Sequence, residues 1–305
     1  MDPKLRVPTG KTQTLQIFRL TPYGAYVGLP EMDPDYGVLL PKKQVPEDAR
    51  EGSEITVFTY RDSEDRPVAT TRKPVAEAGE FAYLRVKAAT KIGAFLDWGL
   101  EKDLFVPFKE QEEKLEAGRE VMVYIYLDKA DRLSATTRIY DRLSPAPKGV
   151  FLKNDEVNAV VYRTQRDFGV FAAVLPKEEA AEKGCAYREL YFGLVPKEMV
   201  FTKYRVGDTF SGRVIRVRED GKLDLSTRKR AFEQLDADGE VILQKAMEYG
   251  GELPFSDSAS PEIVRRELGM SRNAFKRALG HLYKAHRVEI LKTSVRVLPA
   301  PGERG

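Results

Sequence analysis

Residues 166–176 read RDFGVFAAVLP. Two phenylalanines, Phe168 and Phe171, flank Gly169 in what alternation and aromatic content predict to be a strand. Nearly the same phrase occurs twice earlier, as TPYGAYVGLP over residues 21–30 and TKIGAFLDWG over residues 90–99. Working outward from each glycine gives a fixed order of landmarks. An apolar run closes on a proline: VLLP at Pro41, LFVP at Pro107, GLVP at Pro196. A glycine then opens another apolar stretch at Gly52, Gly118 and Gly207, 11 residues beyond the proline each time. Each copy ends on a related phrase: RPVATTR at Arg72, RLSATTR at Arg138 and KLDLSTR at Arg228. Those arginines follow the second glycine by 20, 20 and 21 residues. A spacing held three times marks an internal repeat, and a repeat decides the architecture before any single element does.

Within the second copy, period-two alternation predicts five strands, over 81–88, 93–97, 103–106, 120–127 and 132–136. A short helix is expected over KEQEEKLE, residues 109–116, between strands three and four. That order is the order of the OB-fold, a small Greek-key barrel that binds single-stranded nucleic acid across strands two and three. The third copy spaces its first glycine and its proline 27 residues apart, against 17 and 14 in the others. The difference is an insertion, roughly 177–190, charged and rich in alanine, placed beside strand three as a clamp would be.

The phrases DFGVF, FGLVP and KLDLSTRKR resemble the ribosomal S1-type RNA-binding domain, whose second strand carries Phe-Gly-aromatic-Phe and whose third carries Gly-Leu-Val. The resemblance spans all three copies. It implies a mainly β protein of three tandem five-stranded barrels, over 1–73, 77–142 and 149–230. Where the family has a histidine, this chain has Pro41, Pro107 and Pro196, which removes part of the family's RNA face.

An exposed aromatic ring offers any base a stacking surface, and a neighbouring cation holds the phosphate. The candidates are Tyr23 and Tyr26 with Arg66 in the first copy, and Phe168 and Phe171 with Lys222 in the third. The second keeps Phe95 and Arg132 but has Ile92 at the first aromatic position. Tyr26 and Phe171 serve equally well as core fillers on this reading. Asp62 and Asp128, four residues before Arg66 and Arg132, read as strand-end turn residues near that face.

Beyond Arg230 the period becomes helical. EVILQKAMEYGG predicts one helix ending at Gly250–Gly251. A second opens with Ser260 as N-cap and Pro261 in its first turn and stops at Gly269; a third is capped by Ser271. Phe275, Leu279 and Leu282 read as its core face. VEILKTSVRVLP then predicts two short strands, so residues 236–299 resemble a small α+β winged-helix domain. Its last helix offers Arg272, Lys276 and Arg277 to a nucleic acid. His281 and His286 read as capping or surface residues.

Composition bounds the rest. No apolar run is long enough to span a membrane, and the first ten residues lack the core of a secretion signal. A single cysteine, Cys185, fits a reducing cytoplasm, and with two histidines it leaves no ordinary zinc site. No phosphate loop or serine–histidine–acid spacing occurs, so neither an enzyme nor a cofactor is expected. Net charge is only +3, yet residues 148–235 carry 17 basic against 13 acidic side chains, while 74–147 carry 11 against 13. The third copy is therefore the segment best suited to a polyanion.

Three S1-type barrels followed by a winged helix are similar to the bacterial conserved virulence factor B family. Its most recognisable segment matches FSDSASPEIVRRELGMSRNAFKRALGHLYK, residues 255–284. The resemblance implies a cytoplasmic RNA-binding regulator that binds single-stranded RNA, with single-stranded DNA as the alternative ligand, chiefly through the third barrel and the winged helix, along a path running from one to the other. Two other classes stand beside it: a duplex-DNA transcription regulator working through the winged helix, and a scaffold whose barrels dock protein.

Overall fold

The computed structural model describes residues 6–298 except 178, 201 and 228–230, and the side chains of 231–237 are outside the description. Arg228, on which the third repeat ends, and the outermost residues of the first and last expected domains lie outside the described residues.

Barrel 1 is built from β1 (Thr12–Thr21), β2 (Gly24–Gly28), β3 (Val38–Pro41), β4 (Glu54–Arg61) and β5 (Pro67–Thr70), closed in the order β1-β2-β3-β5-β4. Barrel 2 repeats it with β6 (Phe81–Ala89), β7 (Gly93–Asp97), β8 (Leu104–Pro107), β9 (Glu120–Leu127) and β10 (Leu133–Thr136), closed by β6 against β9. Barrel 3 uses β11 (Glu156–Gln165), β12 (Gly169–Val174), β14 (Tyr191–Pro196), β15 (Thr209–Val217) and β16 (Leu223–Ser226). The remaining strand, β13 (Ala186–Tyr187), lies in the insertion and joins barrel 2, pairing antiparallel with β6.

Each barrel closes because its first strand pairs with two neighbours. The bend this needs comes from one bulge, repeated at Ile17/Arg19, Val86/Ala88 and Val161/Arg163. The inward residues then fill the barrel: Leu15, Ile17, Val27 and Leu40 in the first, Leu84, Leu96, Val106 and Ile125 in the second, Val161, Val195, Val214 and Leu225 in the third. Each such side chain contributes about 1.5–3 kcal/mol on burial.

The repeated glycine has a steric cause. A Cβ at Gly24 would stand 2.0 Å from the Leu40 carbonyl oxygen, at Gly93 2.4 Å from that of Val106, and at Gly169 2.1 Å from that of Val195. Each of those carbonyls precedes the repeated proline, which faces the glycine across the sheet. The proline ends strand three and leads into a single 3-10 turn: Lys42–Gln44, Phe108–Glu110 and Lys197–Met199. Proline donates no hydrogen bond and its fixed φ suits the turn.

Three expectations change. The helix over 109–116 is absent: beyond the 3-10 turn the chain runs without helical hydrogen bonds. Buried Gln111 accounts for this, donating to the Val106 carbonyl and accepting from Leu115 N–H, both at 3.0 Å, which holds the segment open. Phe168 belongs to the β11–β12 turn, and the strand begins at Gly169. The insertion is an inter-barrel strap rather than a clamp on strand three.

That strap belongs to an apolar seam between barrels 2 and 3, where Phe81, Tyr83 and Met122 meet Val160, Tyr162, Ala173, Tyr187 and Leu190. The Tyr83 hydroxyl donates to the Gly207 carbonyl at 2.7 Å, and Arg119 pairs with Asp208 at 3.1 Å. Barrels 1 and 2 meet where Phe58 stands edge-to-face to Trp98, 5.9 Å between centroids.

Residues from 228 onward form a second unit. Its order is α1 (Ala231–Glu248), β17 (Glu252–Leu253), α2 (Pro261–Leu268), α3 (Arg272–Lys284), β18 (Val288–Ile290) and β19 (Val295–Val297). This is a winged helix, with β17 pairing to β19 as a strand the sequence does not announce. Ser260 accepts from Ile263 N–H, Ser271 from Ala274 N–H, and Gly269 takes the left-handed φ of 68° that ends α2. Phe275, Leu279 and Leu282 are buried, as their spacing predicts.

Substituting Gly169→Ala forces β12 and β14 apart, because the obstructing atom is backbone. The expected loss is about 2–4 kcal/mol of stability, measured by denaturant unfolding against the wild-type chain.

Candidate nucleic-acid interface

The three bulges keep a common register, so the outward faces of the barrels compare position by position. In barrel 1 the bulge sets Arg19 opposite Tyr26, and Tyr26 opposite Leu39. Opposed residues share a face. The Arg19 guanidinium accordingly lies over the Tyr26 ring, 4.4 Å from its centroid. Arg19 is exposed and forms no ion pair among the described residues.

In barrel 3 the same positions hold Arg163, Phe171 and Leu194. Here the face is covered. Tyr162 is buried, its ring lies 6.3 Å from that of Phe171, and both pack into the seam with barrel 2. Arg163 is held by Glu112 of barrel 2. Barrel 2 has Ala88 instead of arginine, with Phe95 packed on Phe105 at 5.1 Å, and the preceding residue, Lys87, is bound to Asp103 at 2.8 Å.

The turn tips behave differently from the faces. Tyr23 is 78% exposed, Phe168 63% and Ile92 66%. These tips are nonetheless pinned. The Thr21 hydroxyl donates to the Gly24 carbonyl at 2.9 Å and accepts from Tyr23 N–H, while Lys42 N–H donates to the Tyr23 carbonyl. In barrel 3 Phe168 N–H donates to the Gln165 carbonyl and Lys197 N–H to the Phe168 carbonyl. An exposed ring on a fixed backbone can stack a base at little ordering cost.

The predicted cations are placed less openly. Arg66 sits in the β4–β5 turn, its Nε and Nη2 donating to Asp62 at 2.9 and 2.7 Å, with Nη1 2.7 Å from Glu64. Arg132 repeats this with Asp128 at 3.0 and 2.8 Å. Asp65 and Asp131 supply the left-handed residue of each turn, so Asp62 and Asp128 are strand-end turn residues as read. Lys222 reaches Phe192 (5.2 Å to the centroid), which meets Tyr140 edge-to-face at 5.1 Å, and lies 3.4 Å from Asp220. Burial works against its charge, but the hydrogen bond to Asp220, the Tyr140 hydroxyl and the Asp220 charge together prevail and raise the Lys222 ammonium above its ordinary value.

On α3, Lys276 and Arg277 are exposed and without ion-pair partners among the described residues. Arg272 is half-buried, its Nε enclosed without a hydrogen-bond partner among the described residues. Exposed Lys284 and Tyr283 extend the helix surface, whereas Arg296 on the wing is neutralised by Glu252 at 3.0 Å and Glu289 at 3.6 Å. Sequence reading missed Arg19, Lys42 and Lys197, although all three flank the repeated Gly-x-aromatic phrase or follow the repeated proline.

The S1 domain family matches residues 9–72 and 78–138, which hold barrels 1 and 2, and the CvfB-like winged helix domain family matches residues 240–297. The chain thus carries S1 domains and a winged-helix domain, and both are nucleic-acid-binding rather than enzymatic domain families. The resemblance to conserved virulence factor B holds over most of its length. It is 29% identical to the protein of that name from Staphylococcus aureus (strain MRSA252), over 82% of this chain and 81% of the other. It is also 29% identical to Bacillus subtilis (strain 168) "Uncharacterized protein YitL", over 92% and 90%. A solved multidomain protein with nucleic acid binding domains from Streptococcus pneumoniae is 24% identical, covering 95% of this chain and 98% of its own, at a TM-score of 0.49. No helix among the described residues is long and apolar enough to cross a membrane.

Burial opposes ionisation of Asp128, but hydrogen bonds from the Arg132 side chain and from the N–H groups of Arg132 and Ala130 prevail and hold its carboxyl below the ordinary value. A depressed folded pKa stabilises above the unfolded value of about 4 and is lost as pH falls through the folded one. Asp128→Asn therefore costs under about 1 kcal/mol at neutral pH, and the difference from wild type narrows as pH falls below the unfolded value of about 4, read by urea unfolding across that range.

Proposed function

We propose that this chain is a non-enzymatic protein that binds single-stranded RNA and controls gene expression after transcription, with domains as the repeat divides them. The supporting observation is the open face of barrel 1. Tyr23 stands 78% exposed on a pinned turn, in the same barrel as a Tyr26 ring covered by an Arg19 that no carboxylate among the described residues neutralises. Base stacking on Tyr23 contributes about 1–3 kcal/mol. Arg19 and the exposed Lys42 and Lys43 attract the phosphates. Phe168 and Lys197 repeat the tip on barrel 3. Phe95, Phe171, Arg66, Arg132 and Lys222 border the path as secondary contacts, because packing or a neighbouring carboxylate engages each. RNA rather than DNA, and the regulatory role, rest on the likeness to S1-type domains and to conserved virulence factor B. Stacking accepts every base, so sequence preference is weak.

The test is fluorescence anisotropy with labelled single-stranded RNA, single-stranded DNA and duplex DNA of equal length across a salt series. Tyr23→Ala with Tyr26→Ala weakens RNA binding at least about tenfold with the melting temperature little changed, and Phe168→Ala weakens it less. Absence of any salt-sensitive RNA binding by the wild type overturns the reading and leaves the barrels as protein-docking modules.

A second reading has its own observation. The uncompensated Lys276 and Arg277 on α3 suit a duplex major groove. Lys276→Ala with Arg277→Ala separates the two: it abolishes duplex binding if α3 reads DNA and leaves single-stranded RNA binding within about twofold.

A further inference from the structure

Arg19 and Arg163 occupy the same position in barrels 1 and 3, one residue past the same bulge and opposite the aromatic of strand two. Their surroundings differ. Arg19 is exposed over Tyr26. Arg163 donates through Nε and Nη2 to the two oxygens of Glu112, the second bond at 3.0 Å, with side chains only 28% and 16% exposed. The neighbouring Glu113 accepts weakly from the Thr164 hydroxyl, at 3.5 Å. Both glutamates belong to barrel 2, in the segment that the sequence misreads as a helix. Gln111 and Thr137 anchor that segment, the Thr137 hydroxyl accepting from Glu112 N–H at 2.8 Å. The backbone of Glu112 is thus part of barrel 2, while its carboxylate serves barrel 3.

A carboxylate that meets a guanidinium through two parallel bonds occupies the place a phosphate takes. We infer that barrel 2 masks the sheet face of barrel 3, with Glu112 standing in for a backbone phosphate on Arg163, so that this face, unlike the Phe168 tip, engages single-stranded RNA only when a phosphate displaces Glu112. The inference rests on the RNA-binding reading above and adds to it an internal competitor. It also gives the acidic balance of barrel 2 a role: the barrel with 11 basic and 13 acidic side chains supplies the anion to the barrel with the basic excess.

The mask predicts an unusual outcome, a gain of affinity on removing one charge. In the full-length chain Glu112→Gln binds a labelled single-stranded oligouridylate at least about threefold more tightly, and the slope of log affinity against log salt steepens by about 0.7, the share of one phosphate on a single strand. Glu116→Gln removes an equal charge from the exposed part of the same segment and leaves affinity within error. Adding Arg163→Gln to Glu112→Gln abolishes the gain. Circular dichroism melting fixes the temperature below which each variant is folded, and binding is read there. A second measurement needs no variant: amide hydrogen exchange over 109–116 rises when wild type binds the oligouridylate.

Equal gains from Glu112→Gln and Glu116→Gln show a general charge effect and overturn the mask, as does a gain that survives Arg163→Gln. No gain and no change in exchange, while Tyr23→Ala with Tyr26→Ala still weakens binding, overturns the mask and leaves the RNA-binding reading in place. No binding by wild type or by Glu112→Gln overturns both.

Discussion

The architecture depends on one close approach. At the end of strand three a backbone carbonyl comes within 2.0–2.4 Å of where a Cβ would stand at the head of strand two, in all three barrels. Only glycine fits there, and the proline after that carbonyl turns the chain away into a 3-10 turn. The residue before the glycine is thereby pushed out of the sheet onto a turn tip. Because the tip carbonyl is tied to the first N–H of the 3-10 turn in barrels 1 and 3, the tip is fixed as well as exposed. The steric rule that closes the barrel thus also presents Tyr23 and Phe168 to solvent.

Much of this was legible in the sequence. Period-two alternation located all five strands of barrel 2 to within a residue or so, since each buries one face and a slip would invert it. The caps of α2 and α3 were legible because serine and glycine act there through local hydrogen bonds and φ alone. What failed was non-local. KEQEEKLE has the composition of a helix, but Gln111 is drawn into barrel 2 and Glu112 to Arg163, contacts 51 residues apart for the latter. Arg19 went unnoticed since simple alternation sets it and Tyr26 out of step, and only the bulge brings them together. The insertion had no periodicity to read, because its two-residue strand takes its partner from another barrel.

Charge counting by segment also leaves out which cations packing engages. The third barrel holds the largest basic excess, and part of it is engaged, Arg163 by Glu112 and Arg216 and Arg218 by Asp224, while exposed Arg166 and Lys197 beside Phe168 form no ion pair among the described residues. Barrel 1 has no net charge by sequence, with 11 basic and 11 acidic side chains over residues 1–73, but leaves Arg19, Lys42 and Lys43 without ion-pair partners among the described residues, in the barrel of an exposed tyrosine. A polyanion responds to the local field within about a Debye length of 8–10 Å, so a few unpaired cations beside an aromatic tip outweigh a larger excess neutralised pair by pair. The repeats are thus equivalent in backbone and unequal in the charged groups they present. The difference lies in which carboxylates the neighbouring barrel brings up. Tandem barrels that pack on one another can therefore change what each copy presents without altering the fold of any, because a single glutamate at a seam changes what an arginine offers to solvent.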